Sequence, residues 1–426
     1  MKRHQSEFTD PVRASALLAL ALLTALSAWH FLFSPRKAGR NSADAVESSS
    51  PPTETVPPVT ASEPRAVPTK PKPVSASTVA PVMDLPPPSA YTRQFLTNLL
   101  WLDSRQREVT PEMAAWWRGQ LAALKKAGPD GVAAIREFLA QNQDLSFDRI
   151  PSKAKPGFPS LRTALIDALG DLGGPAAVET ALEVLRTTAL PAEIGQLAQT
   201  LEKLAPDQYH REFLDAARAV LAQAQAGQLP GYDVGSLFQI LSQYGGADAA
   251  ADLKKAGNWK FYSAIALGNL PDATGLPALI ELARDDNPQN ALAAWPIVAE
   301  FAAKSDQANA ALLEAARDGT LAAEAWGRVA LALGGYEFHI AAAPATLSAD
   351  ISLRDSHGWH YFGLEQNFSA VINVAALSNA EISARISLID QLATLNPPSE
   401  AKNSLLSGRE RLLNELERRR NQSRAG

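Results

Sequence analysis

Ala168-Leu169-Gly170-Asp171-Leu172 returns, almost unchanged, as Ala266-Leu267-Gly268-Asn269-Leu270. Each copy closes an apolar stretch of helical period and is followed by a second one. In the first unit Leu161, Leu165, Ala168, Leu169 and Leu172 share a face. Gly173-Gly174-Pro175 interrupts it, and Val178, Ala181, Leu182 and Leu185 resume the period. In the second unit Phe261, Ile265, Leu267 and Leu270 precede Pro271-Asp272, and Leu276, Leu279, Ile280 and Leu282 follow. Pro277 falls in the first turn of that following helix, where its missing N–H costs nothing. A near-copy of this kind marks a stack of helix pairs rather than a compact enzyme fold.

The pattern extends in both directions. Gly128-Pro129-Asp130-Gly131-Val132 parallels Gly174-Pro175-Ala176-Ala177-Val178 at the same point of the unit. Thr110-Pro111 reads as an N-cap with proline at the first helical position. Its helix runs through Trp116, Leu121 and Leu124 to a stop at Gly128-Pro129. Helix ends near residues 172, 204, 244, 270, 302 and 335 give a mean spacing of about 33 residues, a solenoid period. One hairpin has too little core to stand alone, so each buries its apolar faces against the next. Small residues at Ala168, Gly170, Ala266 and Gly268 are expected to let helix backbones approach closely.

Leu267-Gly268-Asn269-Leu270-Pro271-Asp272-Ala273, followed by Leu276-Pro277-Ala278-Leu279-Ile280, resembles a bacterial HEAT-type repeat. Ala168 to Leu185 is a looser match, and the resemblance covers residues 110 to 335. It implies an all-α fold, an alpha solenoid of stacked helical hairpins whose concave surface binds other proteins. Some proteins with such repeats act on chromophores, but the family shares no catalytic set, so none carries over.

Six segments are expected: a tail (1–13), an apolar anchor (14–34), a Pro-rich linker (35–90), the helical repeats (91–335), an irregular aromatic-containing segment (336–377) and a C-terminal helical hairpin (378–426). From Ala14 to Phe33 the chain is almost continuously apolar, long enough at 1.5 Å per residue for a bilayer core of roughly 30 Å. Trp29, Phe31 and Phe33 would form an aromatic belt. A cleaved signal peptide is the rival reading, with Lys2, Arg3 and Arg13 as its charged region; the apolar run past the small-residue sites near Ala25 and Ala28 favours an uncleaved transmembrane helix. Lys2, Arg3 and Arg13 before it and Arg36, Lys37 and Arg40 after it leave the positive-inside rule nearly tied. The linker, with prolines from Pro51 to Pro88, is expected to stay disordered and extended, reaching on the order of 150 Å. It is a spacer, or Pro68 to Pro73 forms a proline-motif ligand. An anchor followed by such a tether puts the expected location at the inner membrane, single-pass, with the bulk of the chain in the periplasm.

A net charge of -5 and a pI of about 5.8 argue against nucleic acid as a partner. Cysteine is absent, which excludes disulfides and thiolate chemistry. There is no Gly-rich phosphate loop and no Gly-x-Ser-x-Gly elbow, so no catalytic residue, metal or cofactor is assigned and no enzyme activity is expected. The expected function is a scaffold or adaptor in the cell envelope that binds protein partners. The candidate contacts are aromatics: Trp259, Tyr262, Trp295 and Trp326 in the later repeats, with Trp359 and Tyr361 in the unusual stretch Asp355 to Gly363. The alternative for the repeat aromatics is that they fill the core. The alternative for the 355–365 loop is glycan binding, or a site built on His357, His360, Asp355 and Glu365; Gly358 argues against a helical His-x-x-His pair. His210 and His339 stand alone in the sequence. Pro296 is expected to kink its helix or to start one. Ser378 and Glu381 form an expected capping box, and Glu415 and Arg419 an i, i+4 pair. The last two helices either cap the array, whose end needs a polar outer face, or the last one dimerises.

Overall fold

The structure, a computed structural model, describes residues 65–66, 85–100, 109–147, 150, 156–230, 232–256, 259–336, 338–342, 367–370 and 374–425. They belong to one contact unit, 61–426, and are predominantly helical. The helices are α1 (Ala90–Leu100), α2 (Pro111–Lys126), α3 (Pro129–Leu139), α4 (Leu161–Leu172), α5 (Gly174–Thr187), α6 (Pro191–Leu204), α7 (His210–Gln225) and α8 (Gly235–Tyr244). They continue with α9 (Ala249–Lys254), α10 (Lys260–Gly268), α11 (Leu276–Ala283), α12 (Pro288–Phe301), α13 (Asp306–Arg317), α14 (Ala323–Gly334), α15 (Asn379–Ala393) and α16 (Ser399–Ala425).

Local chemistry accounts for the helix ends. The Thr110 hydroxyl accepts the Met113 N–H at 3.3 Å, ahead of Pro111. Gly128 (φ 59°) and Gly173 (φ 71°) turn the chain between paired helices in a conformation that side chains with a Cβ rarely adopt. The capping box is present: Glu381 donates its N–H to Ser378 Oγ at 3.2 Å, and its carboxylate accepts the Ser378 N–H at 2.8 Å.

The helices pack by alternation. α2, α4, α6, α8, α10, α12, α14 and α16 each pack on the next of that series. The intervening helices do the same: α1 on α3, α3 on α5, α5 on α7, then α9 on α11, α11 on α13 and α13 on α15. Between α7 and α9 the Arg218–Asp252 pair at 2.7 Å links the second series. One connected apolar core runs from Leu96 to Leu412. At about 25 cal/mol per Å², removal of such side chains from water is the main driving force.

Polar links run from helix to helix in the second series. Arg93 meets Glu137 (3.0 Å), Arg136 meets Glu183 (2.7 Å), Lys254 meets Glu281, and Arg284 meets Glu314 (2.5 Å). The basic partner always comes earlier in the chain. These pairs are largely exposed, so each contributes no more than about 1 kcal/mol.

One pair is different. Arg162 and Glu193 are buried between α4 and α6 and bond in bidentate fashion at 2.6 and 3.1 Å. The Thr188 hydroxyl donates to Glu193 at 2.7 Å, and Arg162 also donates to the Leu139 carbonyl at 3.1 Å. Asp144 lies beside them, accepting the backbone N–H of Arg162 at 3.0 Å; burial raises its pKa.

Two findings depart from the expectations, and a third narrows one. Within the linker expected to stay disordered, Arg65–Ala66 forms a strand, β1, paired antiparallel with β2 (Gln143–Asp144). These residues sit between Pro64 and Pro68, where backbone N–H groups are free to pair, and extended proline-rich backbone lies close to strand geometry. In the irregular segment β3 (Phe338–Ala342) pairs antiparallel with β4 (Asn367–Ala370), with a register shift between His339 and Ala341. Pro296 lies inside α12, so of the two expectations for it the helix start is excluded. The carbonyl it leaves without an i−4 partner, that of Leu292, accepts from Arg328 Nη1 of α14 at 3.3 Å.

The expected anchor, residues 14–34, lies outside the described residues. Among those described, no helix is long and apolar enough to cross a membrane.

Candidate functional site

The surface that α4, α6 and α8 leave to solvent is polar. α4 presents Thr163, Asp167 and Asp171, α6 presents Gln196, Gln199 and Lys203, and α8 presents Gln239 and Gln243. Apolar side chains at the intervening positions are taken up by the core, as the period requires. Cross-helix contacts make a strip of these residues. Lys125 of α2 reaches Asp167 at 3.0 Å and Asp171 at 2.6 Å, and Lys203 reaches the other oxygen of Asp171 at 2.9 Å. Gln196 Nε2 donates to the Thr163 carbonyl at 2.7 Å. Hydrogen bonds from Lys125 and then Lys203 hold the Asp171 carboxyl below its usual range. Partial burial works against the Lys125 ammonium, but the two carboxylates outweigh it and its pKa is raised. The strip is therefore charged at neutral pH, with acid and base alternating along three successive helices.

The aromatic candidates lie elsewhere. Tyr262, Trp295 and Trp326 are buried in the core and offer a partner no surface. Their spacing looks the same for a groove as for a core; which face they occupy is set by helix rotation. Trp259 is half-buried against the core. Trp359 and Tyr361, with Asp355, His357, His360 and Glu365, lie outside the described residues.

His210 is not alone. Its Nε2 lies 3.1 Å from Glu202 Oε2 and 3.7 Å from Asp207 Oδ1, and the ring packs on Tyr244 with centroids 4.5 Å apart. Asp207, at φ 61° in the α6–α7 turn, donates its N–H to Glu202 Oε1 at 3.1 Å. Burial, then the charges of Glu202 and Asp207, push the Tyr244 hydroxyl up to about 12. Donor atoms of the three groups lie within 4.8 Å of one another. That spacing suits one divalent cation, and it equally makes a self-sufficient polar cluster that closes the turn. The sequence signal was present: Glu202, Asp207 and His210 fall within three turns' length around one predicted helix break.

No protein-family model matches this chain, and no curated protein matches it.

A cleft of about 590 Å³ lies between α14 and the start of α16, lined by Glu324, Gly327, Arg328, Leu331, Ser399 and Ser404. Its guanidinium is already engaged: Arg328 bonds Glu324 at 2.8 Å as well as the Leu292 carbonyl. Between α8 and α10, the Tyr262 hydroxyl donates to Asp233 Oδ1 at 2.5 Å, and the Gly235 N–H donates to the same oxygen at 3.1 Å. Burial raises the Asp233 carboxyl to about 6 and raises the Tyr262 hydroxyl as well. Tyr262 is buried in the core and Asp233 is half-buried beside it, so the pair couples folding stability to pH.

Proposed function

We propose that this chain is a membrane-tethered scaffold whose helices form an alpha solenoid of HEAT type, held at the inner membrane by residues 14–34 and exposed in the periplasm. The observation that supports it most is the alternate-helix packing, in which each helix of a series contacts the next of the same series. A fold built this way grows by addition and creates a long continuous surface. The charged strip from Lys125 to Lys203, continued by the amides of α6 and α8, is the surface we assign to a protein partner. Its polarity fits an exchangeable partner better than a permanent apolar one.

The test compares the immobilised full chain with a Gln199→Arg/Gln243→Arg variant in capture from a cell-envelope extract. Both positions are exposed, so the fold is expected to keep its melting profile. A protein retained in stoichiometric amount by the wild type and lost by the variant supports the strip. Identical retention by both, or none by the wild type, refutes it. A reporter fused after Gly426 that is active only in the cytoplasm would reverse the assigned topology.

A further inference from the structure

Among the described residues, the exposed large apolar side chains are Tyr91, Leu100, Trp116, Leu406 and Leu413. All sit on the first two helices or on the last one. The last helix is the more informative, because its rotation is fixed. Ala401, Leu405 and Leu412 are buried against the array, and Gly408 lies so close to Gly334 that an added Cβ would come within 2.6 Å of its Cα. Arg419 adds bonds to the carbonyls of Leu377 (2.7 Å) and Val374 (3.1 Å). α16 therefore cannot roll to bury its other faces.

Roughly a third of a turn around the helix from that buried face runs a second stripe: Lys402, Leu406, Glu410, Leu413, Glu417 and Arg420, at i, i+4, i+8, i+11, i+15 and i+18. Every member is exposed, with Leu406 at 47% and Leu413 at 39%. The stripe carries its own complement. Turned by a two-fold axis that passes between Arg409 and Glu410, Leu406 lies opposite the partner's Leu413, and Lys402 opposite the partner's Glu417. A parallel arrangement would set Lys402 on Lys402 and Glu417 on Glu417, which is repulsive. An isologous contact of this kind is also the one that closes on itself.

We infer that α16 mediates antiparallel self-association of this chain, with a Leu406–Leu413 seam flanked by Lys402–Glu417 pairs. The contact spans about four helical turns, below the standard size of a stable interface, so the dimer is weak and exchanges readily. The inference is independent of any partner on the charged strip.

The absence of cysteine makes a direct test available. Leu406→Cys and Leu413→Cys are introduced separately into the full chain and oxidised alone and as an equal mixture. Cross-linked dimer is expected in the mixture, at least fivefold above either variant alone, since each position faces the other and lies about 10 Å from its own copy. No excess in the mixture, or a cross-link formed by Leu413→Cys alone, overturns the inference. Sedimentation of the chain without introduced cysteine supplies the second measurement. Lys402→Glu should weaken association about tenfold, and adding Glu417→Lys should restore it. Both side chains are exposed, so melting curves stay superimposable. Lack of restoration by the double variant overturns the antiparallel pairing.

Discussion

Replacing Gly268 by alanine places a methyl group 2.6 Å from Ile297 Cγ2, with Phe301 at 3.9 Å. The corresponding methyl at Gly170 would meet Thr200 Cγ2 at 3.4 Å, within ordinary contact, and the flexible end of Lys203 at 3.9 Å. The two glycines hold the same place in the repeated pentapeptide, so a comparison of their alanine variants isolates the packing. Alanine gains about 0.5–1 kcal/mol over glycine in a helix, less at Gly268 because it ends α10. At Gly170 that gain stands nearly undiminished. At Gly268 the branch methyl of Ile297 is tied to its backbone and cannot swing aside, so overpacking costs about 1–3 kcal/mol. Gly268→Ala should then be less stable than Gly170→Ala by about 1–4 kcal/mol. Urea unfolding followed by far-UV circular dichroism measures this, with slopes compared because arrays can unfold in parts. Gly268→Ala with Ile297→Leu, which removes the β-branch, should recover most of the loss. Equal stability of the two alanine variants would refute the reasoning, and an unrescued double variant would move the clash away from Ile297.

Three further outcomes follow from named contacts. Arg162→Met leaves Glu193 buried without its cation and should cost about 3–5 kcal/mol, read as a fall in the urea midpoint; a change under 1 kcal/mol would mean that Glu193 escapes to water. Asp233 binds its proton more tightly in the folded state, about 6 against 3.8, so its contribution is present below about pH 4 and lost as pH rises through 6, by about 3 kcal/mol. Asp233→Asn keeps an acceptor for Tyr262 and should flatten stability over that window, and an unchanged pH profile would exclude Asp233 as its source. Arg328→Met should cost about 1–3 kcal/mol by stranding the Leu292 carbonyl, and distinctly less in a Pro296→Ala background, where the backbone can supply its own donor; equal costs in both backgrounds would show that the carbonyl bond is not what Arg328 contributes.

Much of the local structure was legible in advance. Thr110 with Pro111, the glycines at 128 and 173, the box of Ser378 and Glu381 and the Glu415–Arg419 pair at 2.7 Å all occur as read. Each depends on residues within one or two turns. The candidate site was less legible. The aromatic candidates were chosen by residue type, and type does not tell a core position from a groove; rotation of α10, α12 and α14 put Tyr262, Trp295 and Trp326 inside. The contact within the cluster at His210 is not legible in the sequence because its members straddle a helix break and come together only when Asp207 adopts its left-handed turn. The charged strip joins Lys125, Asp171 and Lys203 across three helices; the 32 residues between Asp171 and Lys203 match the period read from the sequence, but the 46 between Lys125 and Asp171 do not.

The amino-acid sequence by itself determined that this chain is predominantly helical and where several of its helices start and stop. Period, capping and glycine turns act over a few residues, so they can be read without coordinates. Tertiary structure decided that Gly268 is a close approach while Gly170 has room, that Arg328 serves the carbonyl freed by Pro296, and that α16 turns Leu406 and Leu413 outward. Those outcomes depend on how neighbouring helices are rotated and spaced against one another, which is settled by packing across the whole core and is carried by no local run of residues.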